Sequence, residues 1–187
     1  MAEAEVDYLD KTSRAIDVKF RIDKTLEEKF IKQNKLPEQS KVFAVIWTTT
    51  PWTIPGNQAV CLNKDIEYSL VEVTKNQIYI IASELVKTCF DRWSLEDFEI
   101  IKKMKGNDLD GLHFIHPLYN RTSPLLFSEH VTTDTGTGCV HSAPAHGPED
   151  FETCSENGIE LKNPISSNGC FKAVSYTHLT LPTNGLG

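Results

Sequence analysis

The stretch Val42-Phe43-Ala44-Val45-Ile46-Trp47-Thr48-Thr49-Thr50-Pro51-Trp52-Thr53-Ile54-Pro55-Gly56-Asn57-Gln58-Ala59-Val60-Cys61-Leu62 decides how the chain is read. Its two ends are short unbroken apolar runs rich in Val and Ile, which read as buried strands. Its middle carries Pro51 and Pro55, and prolines so close together predict an irregular segment that is neither helix nor regular ladder. Four threonine hydroxyls, the Asn57 amide and two indoles therefore gather on irregular backbone at a strand end. Polar groups can converge on a ligand there without breaking a core. Threonine hydroxyls both donate and accept, so they can hold a water and a sugar hydroxyl together. The plainer alternative is a loop with threonines merely exposed, since Thr is common in strands.

Outward from this stretch the chain alternates short strands with shorter helices. Val6 to Asp23 reads as strand, with Ile16, Val18, Phe20 and Ile22 alternating with polar residues. Thr25-x-x-Glu28 reads as a capping box for a short helix burying Leu26, Phe30 and Ile31, ended by Pro37. Downstream, Tyr68 to Val73 and Gln77 to Ala82 flank Lys75-Asn76 as a hairpin, and Ser83 is placed to cap a helix carrying Leu85, Val86 and Phe90. Short strands follow at 112–114, 125–127 and 139–140, and Pro148 to Asn157 reads as a helix. The expected class is α+β: a small β-barrel-like sheet with short peripheral helices. Residues 1–173 form one domain, and the uncharged tail 174–187 reads as cloning-derived or disordered and is set aside.

Composition narrows the function. Of 187 residues, 40% are hydrophobic and 24% charged, as in an ordinary globular domain. No apolar run approaches the ~18–20 residues of a membrane span. A formal net charge of −7 excludes gripping nucleic acid by charge alone, while leaving room for one terminal nucleotide in a pocket. Five cysteines without a C-x-x-C pair fit neither a zinc finger nor a disulfide framework. His113-x-x-His116 reads as two surface histidines and Lys102-Lys103-Met104-Lys105 as a solvated basic face.

A second unusual segment is Gly136-Thr137-Gly138-Cys139-Val140-His141-Ser142-Ala143-Pro144-Ala145-His146-Gly147-Pro148-Glu149-Asp150-Phe151. It lacks the third glycine of a dinucleotide fingerprint and the Lys of a P-loop. A metal held by His141, His146 and Asp150 has weak ligand spacing. A Ser142–His141 pair is disfavoured because neighbours on a strand face opposite ways. Asp150 would lie in the first turn of the Pro148 helix, where the dipole favours a carboxylate. That carboxylate either meets a ligand ammonium or merely satisfies the helix.

Together the two segments resemble the threonine-rich motif and the second signature of the editing domain of isoleucyl-tRNA synthetases. Val6-Asp7-Tyr8-Leu9-Asp10-Lys11-Thr12 and Ile16-Asp17-Val18-Lys19-Phe20 are similar to that domain's beginning, and the likeness runs from about Ala4 to Phe171. Thr50 and Trp52 stand where the leucine and valine enzymes have Arg and Glu, which favours the isoleucine type. The His146-Gly147 pair before Glu149-Asp150 looks bacterial or organellar. The resemblance thus implies an intracellular setting, mitochondrial matrix or cytoplasm, with the organellar type favoured. The synthetases' ATP-binding signatures are absent from this stretch of chain.

The resemblance implies hydrolysis of valyl-tRNA mischarged on the isoleucine tRNA, with valyl-adenylate as a second candidate. It implies no cofactor and no metal. The partners are the 3′ end of that tRNA and the rest of the synthetase, with no membrane. Position by position, it assigns Asp150 to the substrate ammonium. Thr48, Thr49, Thr50 and Asn57 fall on the terminal adenosine and the attacking water. His141, with Trp52 and Thr53, lines the substrate pocket. Two other readings stay open: a truncated module that binds the aminoacyl-adenosine end without turnover, and a hydrolase built on Ser142.

Overall fold

The computed structural model describes residues 14–172. Residues 6–13 of the expected first strand and the 174–187 tail lie outside them. Among the described residues nine strands form one sheet: β1 (Ile16–Ile22), β2 (Lys41–Thr48), β3 (Ala59–Leu62), β4 (Glu67–Thr74), β5 (Gln77–Ala82), β6 (Glu99–Lys105), β7 (His113–Ile115), β8 (Thr122–Phe127) and β9 (Val140–Ser142). The order is β6-β4-β5-β2-β1-β7-β8-β3-β9. The α-helices α1 (Lys24–Asn34), α2 (Val86–Trp93) and α3 (Pro148–Glu156) sit around it. The α+β class therefore stands.

The strands follow their side chains. β1 runs antiparallel to β2 with Val18 opposite Ile46 and Phe20 opposite Ala44. β2 with β5, and β3 with β8, pair in parallel. β3 is buried along its whole length and β5 beyond its first residue, which is why both read as unbroken apolar runs rather than alternations. The β4–β5 hairpin turns at Lys75-Asn76 as expected, with Asn76 supplying a φ of 69°.

The sheet curls on itself. β5 lies third from one edge and β9 is the other edge, so a flat sheet would separate them by roughly 29 Å at the usual strand spacing. Instead the Ala82 N–H donates to the Thr137 carbonyl at 2.9 Å, just before β9. The Tyr68 hydroxyl of β4 donates to the Gly138 carbonyl at 2.7 Å. A Cβ on Gly138 would lie 2.3 Å from the Ala82 Cβ, so this crossing admits only glycine.

Several local expectations are corrected. The cap of α1 is Asp23, whose carboxylate accepts the Thr25 N–H at 2.9 Å, and not the Thr25–Glu28 box. That helix stops at Asn34, where Lys35 turns left-handed, ahead of Pro37. Ser83 does not cap α2: it opens a short 3₁₀ turn, and its hydroxyl meets Ser69 at 2.8 Å. The basic run at 102–105 is solvated as expected, but it belongs to a full edge strand, β6, whose only buried residue is Met104. His116 is not on the surface, being 2% exposed. No helix among the described residues is long and apolar enough to cross a membrane.

Candidate active site

β2 delivers Thr48, and the chain then forms a 3₁₀ turn, Pro51–Gly56. The prolines had argued against any helix here. Pro51 occupies the first position, where no N–H is required. The Thr53 N–H to Thr50 carbonyl bond (3.0 Å) and the Asn57 N–H to Ile54 carbonyl bond (3.0 Å) close the turn around Pro55.

The turn gathers hydroxyls. Thr48 Oγ1 accepts the Thr50 N–H at 3.1 Å and lies 3.3 Å from Thr50 Oγ1. Thr53 Oγ1 donates to the Thr50 carbonyl at 2.8 Å and meets His141 Nε2 at 2.9 Å. A hydroxyl has one proton. Since Thr53 commits its proton to Thr50, His141 carries a proton on Nε2 and leaves Nδ1 as a bare acceptor. That Nδ1 is buried and has no hydrogen-bond partner among the described residues. Thr49 and Trp52 are exposed.

One expected ligand contact comes out differently. Asn57 is fully buried, its Nδ2 donating to the Ala59 carbonyl at 2.7 Å and its Oδ1 accepting from Ser123 Oγ at 2.6 Å. With both amide ends taken by the fold, Asn57 holds the backbone after the turn and does not reach a ligand. Thr49 makes no side-chain hydrogen bond among the described residues, whereas Thr53 joins Thr48 and Thr50 in one chain of contacts.

The second segment supplies the facing wall. β9 pairs with β3, placing His141 opposite Val60 and Ser142 opposite Ala59. Strand alternation sends their side chains apart. His141 meets Thr53, while the fully buried Ser142 hydroxyl lies 3.4 Å from the Cys154 thiol of α3. This removes the Ser142 hydrolase, because His141 cannot serve as its base. The Asp150 carboxylate, in the first turn of α3, accepts the Ala143 N–H through Oδ2 at 2.9 Å. One oxygen of a half-buried carboxylate is thereby fixed, and Oδ1 is the atom left to offer. His146 lies over Gly56, where a Cβ would meet its ring at 3.1 Å.

Burial lowers the pKa of His141 to about 4; Asp150 opposes the shift and His146 adds to it. The ring is neutral at neutral pH. Among the described residues no group of three or more His, Cys, Asp or Glu could hold a metal ion. A separate groove beside α3, lined by Glu129, Glu149, Glu152, Glu156 and Lys64, lies away from the threonines.

Reasoning from the sequence missed the support beneath the turn. His116 Nε2 donates to the Ile54 carbonyl at 3.0 Å, Arg121 Nη2 to the Pro55 carbonyl at 3.3 Å, and Ser123 to Asn57. No local signal marked them: His116 and Arg121 lie in the connection between β7 and β8, where polar residues are ordinary, and Ser123 follows an exposed Thr122.

Residues 16–185 match the family described as leucyl-tRNA synthetase, editing domain. The chain belongs to that editing-domain family. Its relatives include isoleucine-tRNA ligases of Colwellia psychrerythraea (46% identical over 175 residues, 91% of this chain and 18% of the ligase) and Vibrio atlanticus (47% over 178 residues, 91% and 19%). Caldanaerobacter subterraneus supplies a third, 46% identical over 181 residues, covering 96% of this chain and 19% of the ligase. This editing domain therefore spans about a fifth of the length of the curated relatives it matches. Among solved structures, GlLeuRS-CP1 superposes with a TM-score of 0.67 at 19% identity, covering 81% of this chain and 70% of that one. The editing domain of the Plasmodium falciparum cytosolic leucyl-tRNA synthetase gives 0.62 at 14% identity, covering 77% and 66%. These structures share the fold. The far higher identity to isoleucine ligases agrees with the isoleucine-type reading of Thr50 and Trp52.

Proposed function

We propose that this domain removes valine from mischarged isoleucine tRNA by hydrolysing the aminoacyl ester. The observation that carries the reading is the 2.9 Å contact between Thr53 and His141, which joins the two signature segments across 88 residues of chain. Selection by size cannot reject valine at a synthetic site, because one missing methylene is worth only ~1–3 kcal/mol; isoleucyl-tRNA synthetase is the standard example of that limit. A second pocket must then accept valine and exclude isoleucine.

The chemistry needs few groups. Water attacks the ester carbonyl carbon, the bond to the ribose oxygen breaks, and a water proton ends on that oxygen. Asp150 Oδ1 pairs with the substrate ammonium. The oxygens of Thr48, Thr50 and Thr53 hold the water and the sugar hydroxyls in line, and rate follows from that positioning. Thr49 and the exposed indole of Trp52 offer the rim to the terminal adenosine, whose base has a π-face for stacking. His141 forms the wall, and as a neutral ring it adds no charge against the ammonium. Valyl-adenylate presents the same ammonium and side chain and is a second substrate of the same site.

The rest of a synthetase would supply the contacts to the tRNA body, consistent with a net charge of −7 here and with the share of the ligases that this chain spans. The setting is intracellular, cytoplasm or mitochondrial matrix; the relatives compared are bacterial. The test is release of valine from mischarged valyl-tRNA by the purified chain, with isoleucyl-tRNA left intact. Tight binding without turnover would replace this reading with a non-catalytic module.

A further inference from the structure

We propose that His116 is a positioning residue for the threonine turn: it locks the Ile54 carbonyl and thereby sets Thr53 against His141. The ring is 2% exposed and both its nitrogens are engaged. Nε2 donates to the Ile54 carbonyl at 3.0 Å, and Nδ1 accepts the Leu118 N–H at 3.1 Å. The tautomer is thus fixed by two backbone groups that belong to different parts of the chain. Phe20 of β1 meets the ring edge-on at 6.1 Å, and Tyr119 covers it at 4.9 Å.

Ile54 is the hinge of the turn. Its carbonyl accepts two bonds, from His116 and from the Asn57 N–H at 3.0 Å. The residue before it is Thr53, whose hydroxyl must reach both the Thr50 carbonyl and His141. That carbonyl lies in the Ile54–Pro55 peptide one residue past Thr53, so losing its orientation loosens the Asn57 bond that closes the turn and with it the seat of Thr53. Arg121 and Ser123 hold the neighbouring groups, but Arg121 is only half-buried and Ser123 bonds a side chain. Among the described residues His116 is the one side chain that bonds the hinge carbonyl, and it is in turn fixed at its other nitrogen.

This inference rests on the deacylase reading for its kinetic test, and two variants separate it from mere stabilisation. In His116→Asn the amide oxygen stands near the Nδ1 position and keeps an acceptor for Leu118, but no donor reaches Ile54. In His116→Gln the amide nitrogen reaches toward Ile54 while the Leu118 bond is lost. Valyl-tRNA deacylation is measured for the parent and both variants, with thermal unfolding alongside. A displaced Thr53 lowers kcat about 10- to 100-fold in His116→Asn with KM little changed, and His116→Gln recovers most of that loss at comparable thermal stability. Amide exchange at Thr53 and Asn57 rises in His116→Asn and stays close to the parent in His116→Gln.

Equal kcat losses in the two variants, tracking their thermal stability, would make His116 a core residue only. So would parental kcat in a folded His116→Asn protein. Failure of the parent to hydrolyse valyl-tRNA would instead overturn the deacylase reading. In that case the amide-exchange comparison alone decides whether His116 holds the turn.

Discussion

The two halves of the candidate site meet at His141 and are built in opposite ways. On the threonine side, hydroxyls and carbonyls are tied to one another, and the turn is bracketed from beneath by His116, Arg121 and Ser123. On the α3 side, Asp150 makes one hydrogen bond to Ala143, and His146 beside it is exposed. A group that must hold a neutral water in a fixed place gains from rigidity, since positioning is its contribution. A group that must receive a charged ammonium needs an open atom and a fixed partner atom, which is the state of the Asp150 carboxylate. Geometry is built into one half, and charge is offered by the other.

Removing the charge should have the largest effect. Asp150→Ala leaves the substrate ammonium unpaired, at a cost of about 2–5 kcal/mol, or some 30- to several thousand-fold in kcat/KM. Single-turnover deacylation of valyl-tRNA measures it, and a loss below about tenfold would break the division of labour.

Acid should attack the threonine side. Burial lowers the pKa of both His116 and His141 to about 4, helped at His116 by the charge of Arg121 and opposed by its bond to Ile54. Both are neutral when folded and protonate near 6.5 when unfolded, so the unfolded chain binds more protons between those values. Stability is then full above pH 6.5, falls as the pH drops toward 4, and flattens below. The loss is roughly 3 kcal/mol for each histidine. Urea unfolding across that range in parent and His116→Gln checks it: the variant should show a shallower slope.

His141 tests the wall between the halves. His141→Ala should raise the ratio of isoleucyl to valyl deacylation about 5- to 100-fold, by removing the steric cost of an extra methylene. An unchanged ratio in a folded variant would move the wall elsewhere. The smallest effects sharpen the threonine side. Thr48→Ala and Thr53→Ala should be non-additive, with a coupling energy of about 0.5–3 kcal/mol in kcat/KM, because both touch Thr50. Thr49→Ala should leave stability within about 0.5 kcal/mol of the parent, since Thr49 is exposed and its side chain makes no hydrogen bond among the described residues.

Much of the fold was readable because apolar periodicity survives in sequence. β1 alternates, β2, β3 and β5 run unbroken, and Pro148 opens α3. What was not readable depended on partners far along the chain. β6 carries three lysines and buries one side chain, so its pattern resembles a surface loop until β4 is there to pair with it. The 3₁₀ turn escaped because proline excludes an α-helix interior while fitting the first position of a turn. His116 shared with His113 a spacing that says nothing about burial; one is exposed and the other sealed by Phe20 and Tyr119. In the site, residue types were legible and bonding was not. Asn57 looked like a ligand-binding amide until Ser123 and Ala59 took up both of its ends.

The placement of β3 has a consequence for synthesis. Among the described residues it pairs with β8 and β9, so its apolar residues have no strand partner until the chain has passed Phe127, and its second edge stays open until Ser142. Thr53 and His141 are 88 residues apart, and at ~5–20 residues per second the ribosome needs roughly 4–18 s to make the second after the first. Until Phe127 is made the emerging polypeptide displays an unpaired hydrophobic strand, and until His141 is made the candidate site is incomplete. The candidate site is thus one of the last features the nascent domain completes, and slow translation between β3 and β8 would prolong the exposure of that strand to chaperones and to aggregation.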